Sequence, residues 1–137
     1  MGMLEIGDGL KIRLETIRGL RVHSTKELPD SINQFPSAVI LPGETTYVTS
    51  LRSNDSDYNF RVILLFSKQD TPSAISKMLP YLAPSGEKSV VEAIHGDRTL
   101  DGNAEDVKVV SNRGISSLTW GGTAYLATEF LVQVWAD

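Results

Sequence analysis

The segment that decides the fold runs from Asp57 to Phe66 and reads DYNFRVILLF. Every second residue from Tyr58 to Phe66 is apolar, and a spacing of two is that of one face of a β-strand. The opposite face begins with polar side chains and ends with Ile63 and Leu65. The segment from Ala124 to Trp135 has the same mixed character, so the sequence predicts two long strands whose second faces are only half polar.

A helix is predicted before the first of these strands, from Gly9 to Arg18, where apolar residues recur at helical spacing. Asp8 is a suitable N-cap. An earlier start, at Met3 or Leu4, would place two glycines inside the helix at a cost of about 1 kcal/mol each. We therefore predict the later start.

Two further helices are predicted between the long strands. The first has Thr71 as N-cap and Pro72 as first helical residue, and Pro80 is expected to kink or shorten it. Its predicted buried stripe consists of Ala74, Ile75, Met78, Leu79 and Leu82. The second begins at Ser85 and ends at Gly96.

Shorter strands and turns complete the predicted sheet. Strands are predicted at Ala38–Leu41 (between two prolines), Thr45–Ser50 and Asp106–Ser111, with turns at Asn112–Gly114 and Trp120–Gly122. Together the elements predict one α+β domain over residues 1–137, with a mostly antiparallel sheet and helices packed on one face.

Composition excludes several classes of protein. Hydrophobic residues make up 41% and charged residues 22% of the chain, which is the composition of a globular domain rather than of a disordered one. The net charge is −4 and the basic residues are scattered, which disfavours nucleic-acid binding as the main activity. The longest apolar run, Val62–Phe66, is far too short for a membrane helix. A soluble, cytosolic protein without membrane association is expected.

The sequence contains no recognisable catalytic or metal-binding motif. The absence of cysteine excludes disulfides, thiolate metal sites and cysteine nucleophiles. His23 and His95 are far apart, and neither has a second ligand at zinc spacing. The segment Gly86–Ser89 only superficially resembles a phosphate-binding loop and is interpreted as a helix start. The acidic neighbours Asp55 and Asp57 are interpreted as part of a solvated loop, so we expect no enzyme activity, no cofactor and no metal.

The order of segments resembles that of the tail terminator family, among the neck and head–tail completion proteins of long-tailed bacteriophages. The segments that carry the resemblance are Leu10–Val22, Leu28–Ile32, Phe35–Ile40, Tyr58–Val62, Ser89–Ile94, Thr99–Gly102 and the long final strand. The likeness spans nearly the whole chain.

The resemblance implies a structural virion protein that forms a hexameric ring. Such a ring caps the tail tube, joins the tail to the head connector or stopper protein, and lets DNA pass without specific binding. The implied location is the virion neck, after assembly in the cytoplasm of the host bacterium. Two alternatives remain open: a head–tail stopper or adaptor of the same neck, and a small-molecule-binding α+β protein, which would need a concave pocket with convergent polar groups.

Two sets of residues are predicted to contact partners. Apolar side chains on the second faces of the long strands form the candidate oligomer interface: Ile63, Leu65, Leu131 and Trp135. The polar connection before the first long strand is longer than a tight hairpin needs, and forms the candidate partner loop: Leu51, Arg52, Asn54 and Asp55.

Overall fold

The computed structural model describes residues 2–47, 56–67 and 72–136. Within them the chain forms three helices, α1 (Met3–Leu14), α2 (Pro72–Leu82) and α3 (Val90–His95). The strands are β1 (Arg21–His23), β2 (Ser37–Thr46), β3 (Ser56–Ser67), β4 (Asp106–Trp120) and β5 (Thr123–Ala136). The predicted α+β class and the two long strands are confirmed.

The described strands form one sheet in the order β1-β2-β3-β5-β4. β1 runs parallel to β2, and the other neighbouring pairs are antiparallel. The two strands with the strongest apolar alternation, β3 and β5, lie side by side at the centre, with Val62 opposite Phe130. β4 and β1 are the two edges.

The predicted bounds of α1, Gly9 to Arg18 with Asp8 as N-cap, are wrong, because the helix runs from Met3 to Leu14 and its N-cap is Gly2. Gly7 and Gly9 are buried inside it, where α1 meets other parts of the chain. A Cβ on Gly9 would lie 2.6 Å from the carbonyl oxygen of Leu100, in the turn between α3 and β4. This close approach of the helix to the turn requires glycine. Tertiary packing thus offsets the low helix propensity of the two glycines.

The predicted buried stripe of α2 is only partly correct. Met78 and Tyr81 are buried, whereas Ile75 and Leu79 are 41% and 54% exposed. The helix also continues past Pro80 to Leu82. Its predicted N-cap lies outside the described residues.

The start of α3 is later than predicted. Ser89 is its N-cap and accepts a hydrogen bond from the backbone N–H of Glu92, which confirms that Gly86–Ser89 leads into a helix. The helix ends at Gly96, as predicted.

Three features of the strands differ from the predictions. The three-residue strand β1 was not predicted, because it is too short to show alternation. The strands predicted at Ala38–Leu41 and Thr45–Ser50 belong to one strand, β2, within the described residues. β2 continues through Pro42, which lies beyond the residues that pair with β1 and is followed by a register shift in the pairing with β3. The turn predicted at Asn112–Gly114 is a bulge within β4, with Gly114 at φ +83°.

Two apolar clusters lie on opposite faces of the sheet. The first face carries Ile40, Val62 and Phe130, in the larger cluster, which also contains side chains of all three helices. The second face carries Val39, Ile63 and Ala127, in a smaller cluster without helix residues. The tight turn Gly121–Gly122 joins β4 to β5 as predicted, with both glycines at positive φ.

Candidate assembly surface

The chain covers part of its own second face with residues 28–36, here called the covering segment. Ile32 is buried there, and its backbone N–H donates to the hydroxyl of Tyr125 over 3.2 Å. The indole N–H of Trp120 donates to the carbonyl oxygen of Pro29 over 2.9 Å. The rings of Phe35 and Tyr125 pack with centroids 5.9 Å apart. The covering segment is therefore fixed to β4 and β5 by both polar and apolar contacts.

This covering segment changes the interpretation of two predicted interface residues. Ile63 and Leu65 are 1% and 0% exposed and belong to the same cluster as Ile32. The prediction that they are left over for a neighbouring subunit is wrong, because the chain itself buries them. A segment without alternation gave no sign in the sequence of where it would pack.

The other two predicted interface residues lie on the same face of β5, beyond this cluster. Leu131 and Trp135 are partly exposed, and between them Gln133 donates to the carboxylate of Asp57 over 2.7 Å. Leu131 lies opposite Arg61 in the neighbouring strand. The result is a mixed apolar and polar strip, here called the β5 strip, which consists of Leu131, Gln133 and Trp135.

A cluster of three charged side chains lies between the β5 strip and the covering segment. The guanidinium of Arg61 donates two hydrogen bonds to one oxygen of Glu129, over 2.6 and 3.1 Å. Arg113 approaches the other oxygen at 3.3 Å. The side chain of Glu129 is 14% exposed and that of Arg113 is 75% exposed. Two guanidinium groups share one carboxylate, so this arginine cluster carries a net charge of +1 in an acidic protein.

A cavity of about 220 Å³ adjoins the arginine cluster. Ile63, Leu118 and Ala127 contribute apolar side chains to its lining, and Ser116 and Thr128 contribute hydroxyl-bearing ones. The hydroxyl of Thr128 donates to the carbonyl oxygen of Gly114 and accepts from Asn112, so it is already engaged.

A titratable side chain, His95, covers part of the edge of the sheet at β4. Its Nε2 accepts a hydrogen bond from the backbone N–H of Val109 over 3.0 Å. Partial burial lowers the pKa of His95 below its ordinary value of 6.5; Arg98 lowers it further, Asp106 opposes this, and Lys108 adds to the lowering. Both the hydrogen bond and the surroundings therefore favour the neutral imidazole.

His23, the other histidine, lies on β1 and its pKa is also lowered, by burial and by Arg21 and Lys11. Asp57 lies in β3 rather than in a loop, whereas Asp55 falls outside the described residues. Across residues 2–47, 56–67 and 72–136, no group of three or more His, Asp or Glu side chains is arranged to hold a metal ion. None of the helices in these ranges is long and apolar enough to cross a membrane.

The candidate partner loop, Leu51, Arg52, Asn54 and Asp55, lies outside the described residues, so its role stays a prediction. The arginine cluster was not predicted from the sequence. Arg61 and Glu129 were visible as charged residues on the second faces of the two central strands, but only the strand register shows that they meet. Comparison of the chain with protein-family models and with curated proteins finds no match.

Proposed function

We propose that this chain is a structural subunit of a long-tailed bacteriophage neck, of the tail terminator kind. In this proposal six copies form a ring that caps the tail tube and joins the tail to the head connector. The observation that carries the proposal is the β5 strip, where Leu131 and Trp135 stay partly exposed beyond the cluster that the covering segment buries. The sequence resemblance gives this surface its context.

The chemistry of the β5 strip is that of a subunit interface. Trp and Arg are enriched in the centres of interfaces, where they combine apolar area with a polar end. Leu131 and Trp135 supply apolar area, and Arg61 and Gln133 supply polar groups whose positions are fixed by hydrogen bonds. We propose that the helices pack on the first face only, which leaves the β5 strip for the neighbouring subunit.

The net charge of −4 supports the same role. A basic ring would bind the phosphates of DNA that passes through it, whereas an acidic ring repels them. The proposed partners are therefore other copies of this chain, the tail tube protein and the head connector, and no catalysis is involved.

Two matched substitutions test the proposal. Leu131→Asp places a charge in the proposed interface, and Leu79→Asp places the same charge on the exposed side of α2 as a control. Electron microscopy of purified tail tubes mixed with each variant is the measurement. We expect no rings with the Leu131→Asp protein and normal rings with the Leu79→Asp protein. Circular dichroism checks that both variants fold, and Trp135→Gln is the second interface variant should Leu131→Asp unfold. Normal rings from folded Leu131→Asp and Trp135→Gln proteins would contradict the proposed interface.

A further inference from the structure

Within the part of the chain that the structure describes, the outer edge of β4 has backbone N–H and C=O groups that pair with no neighbouring strand. β4 lies at the end of the described sheet, and β5 is its one strand neighbour there. The two-residue turn pairs Trp120 with Thr123, and hydrogen-bonded and non-hydrogen-bonded pairs then alternate along an antiparallel ladder. By this alternation the backbone N–H and C=O groups of Ile115, Ser117 and Thr119 point away from β5, toward the open edge.

The two halves of this edge differ in their protection. In the N-terminal half of β4, His95 accepts a hydrogen bond from the outward N–H of Val109 and so covers the edge there. In the second half, Ser117 and Thr119 are exposed, and no charged residue occurs from Ile115 to Trp120. Proteins usually protect an open edge with a lysine, a proline or a covering element, since an unprotected edge pairs with other strands. The second half of the β4 edge is thus suited to accept a strand.

The cavity beside the arginine cluster lies along this same half of the edge. Ser116 and Leu118 point to the second face and contribute to its lining, and Arg113 lies at its rim with its side chain 75% exposed. A strand added to the β4 edge would place alternate side chains next to these residues. The net charge of +1 at the arginine cluster favours an acidic side chain there, because one carboxylate is shared by two guanidinium groups.

We propose that the β4 edge from Ile115 to Thr119 binds an extended segment of a partner protein as an additional strand. An acidic side chain of that segment pairs with Arg113, and an apolar side chain packs beside Leu118. Backbone hydrogen bonds to the open edge supply affinity, and the arginine cluster and cavity supply selectivity. The inference does not depend on the ring, because the strand binds at the edge of β4 and pairs with Arg113, whereas the β5 strip lies on a face of the sheet; Arg61 borders both surfaces.

The experiment uses the full chain and a displayed library of random peptides roughly ten residues long, the length of a typical strand. We expect enriched peptides with alternating apolar residues and at least one Asp or Glu. Ser117→Pro removes one outward N–H and is compatible with an edge strand, whereas Ser117→Ala removes only the hydroxyl. We expect Ser117→Pro to weaken binding of an enriched peptide about tenfold and Ser117→Ala to leave it unchanged.

Two further arms make each outcome decisive. Arg113→Glu should shift the selected peptides from acidic to basic residues. Alternate amides of a peptide strand face the β4 edge, so of two peptides N-methylated at alternate amides in the two possible phases, one should not bind the native chain, even if Ser117→Pro fails to fold. An absence of enriched peptides, or binding that is insensitive to N-methylation, would overturn the proposed strand addition. Enrichment without acidic residues would overturn the role of Arg113. If sedimentation shows that the chain alone self-associates and that Ser117→Pro prevents this, a second copy occupies the edge and the proposed partner is wrong.

Discussion

Gly9→Ala tests how α1 is held against the rest of the domain. In an ordinary helix this substitution stabilises by about 1 kcal/mol, because alanine has the higher helix propensity. Here the new Cβ would lie 2.6 Å from the carbonyl oxygen and 2.8 Å from the Cβ of Leu100. Leu100 is fully buried and already has a left-handed backbone, at φ +49°, so it has little freedom to move. Overpacking costs about 1–3 kcal/mol, and a clash with backbone that cannot move lies in the upper part of that range. After the gain of about 1 kcal/mol in helix propensity, we expect a net loss of stability of about 1–2 kcal/mol.

Urea denaturation of Gly9→Ala and Gly7→Ala measures this effect. Gly7→Ala is the matched control in the same helix, because its new Cβ would lie 3.0 Å from the side-chain oxygen of Thr25 rather than from backbone. We expect a smaller loss for Gly7→Ala, and a fall in melting temperature of roughly 3–8 °C for Gly9→Ala. A Gly9→Ala protein as stable as the native chain would refute the close contact between α1 and the turn at Leu100.

Two further predictions concern charged groups. The pKa of His95 is lower in the folded than in the unfolded chain. The contribution of His95 to the free energy of unfolding should therefore be fully present above about pH 7 and decrease as the pH falls through 6.5 toward the lowered pKa. Urea denaturation between about pH 7.5 and pH 5 should show this decrease in the free energy of unfolding. The His95→Gln side chain does not titrate, so this variant should show a smaller decrease, with His23 supplying the remainder. An unchanged dependence on pH would contradict the role of the hydrogen bond between His95 and Val109. Glu129→Gln leaves Arg61 and Arg113 without a carboxylate, so we expect a loss of about 1–2 kcal/mol in urea denaturation, and an unchanged midpoint would show that the arginine cluster does not contribute to stability.

Local patterns were sufficient to predict the centre of the sheet. The alternation in β3 and β5 is long and unbroken, and the paired glycines at Gly121 and Gly122 favour a tight turn, so these elements appear where expected. The predicted start of α1 was wrong because glycine at position 9 is required by a contact with Leu100, which is distant in sequence. Helix propensity describes an isolated helix and contains no information about such a contact.

The sequence did not distinguish the interface candidates that the chain itself buries from those that stay partly exposed. Leu131 and Ile63 both stand on the second faces of long strands, and the sequence alone does not distinguish them. Ile63 belongs to the same apolar cluster as Ile32 of the covering segment, whereas Leu131 lies beyond that cluster. Irregular segments have no periodicity that reveals their buried side, so their packing appears only in three dimensions.

The proposed function requires that this chain act as one subunit of a ring. The most direct test is the mass of the species that forms when the purified chain is mixed with tail tubes and then released, measured by native mass spectrometry. We expect a closed species with six times the mass of the 15.0 kDa chain, and we expect Leu131→Asp to prevent its formation. A chain that remains monomeric in the presence of tubes, or that binds them only as a monomer, would contradict it.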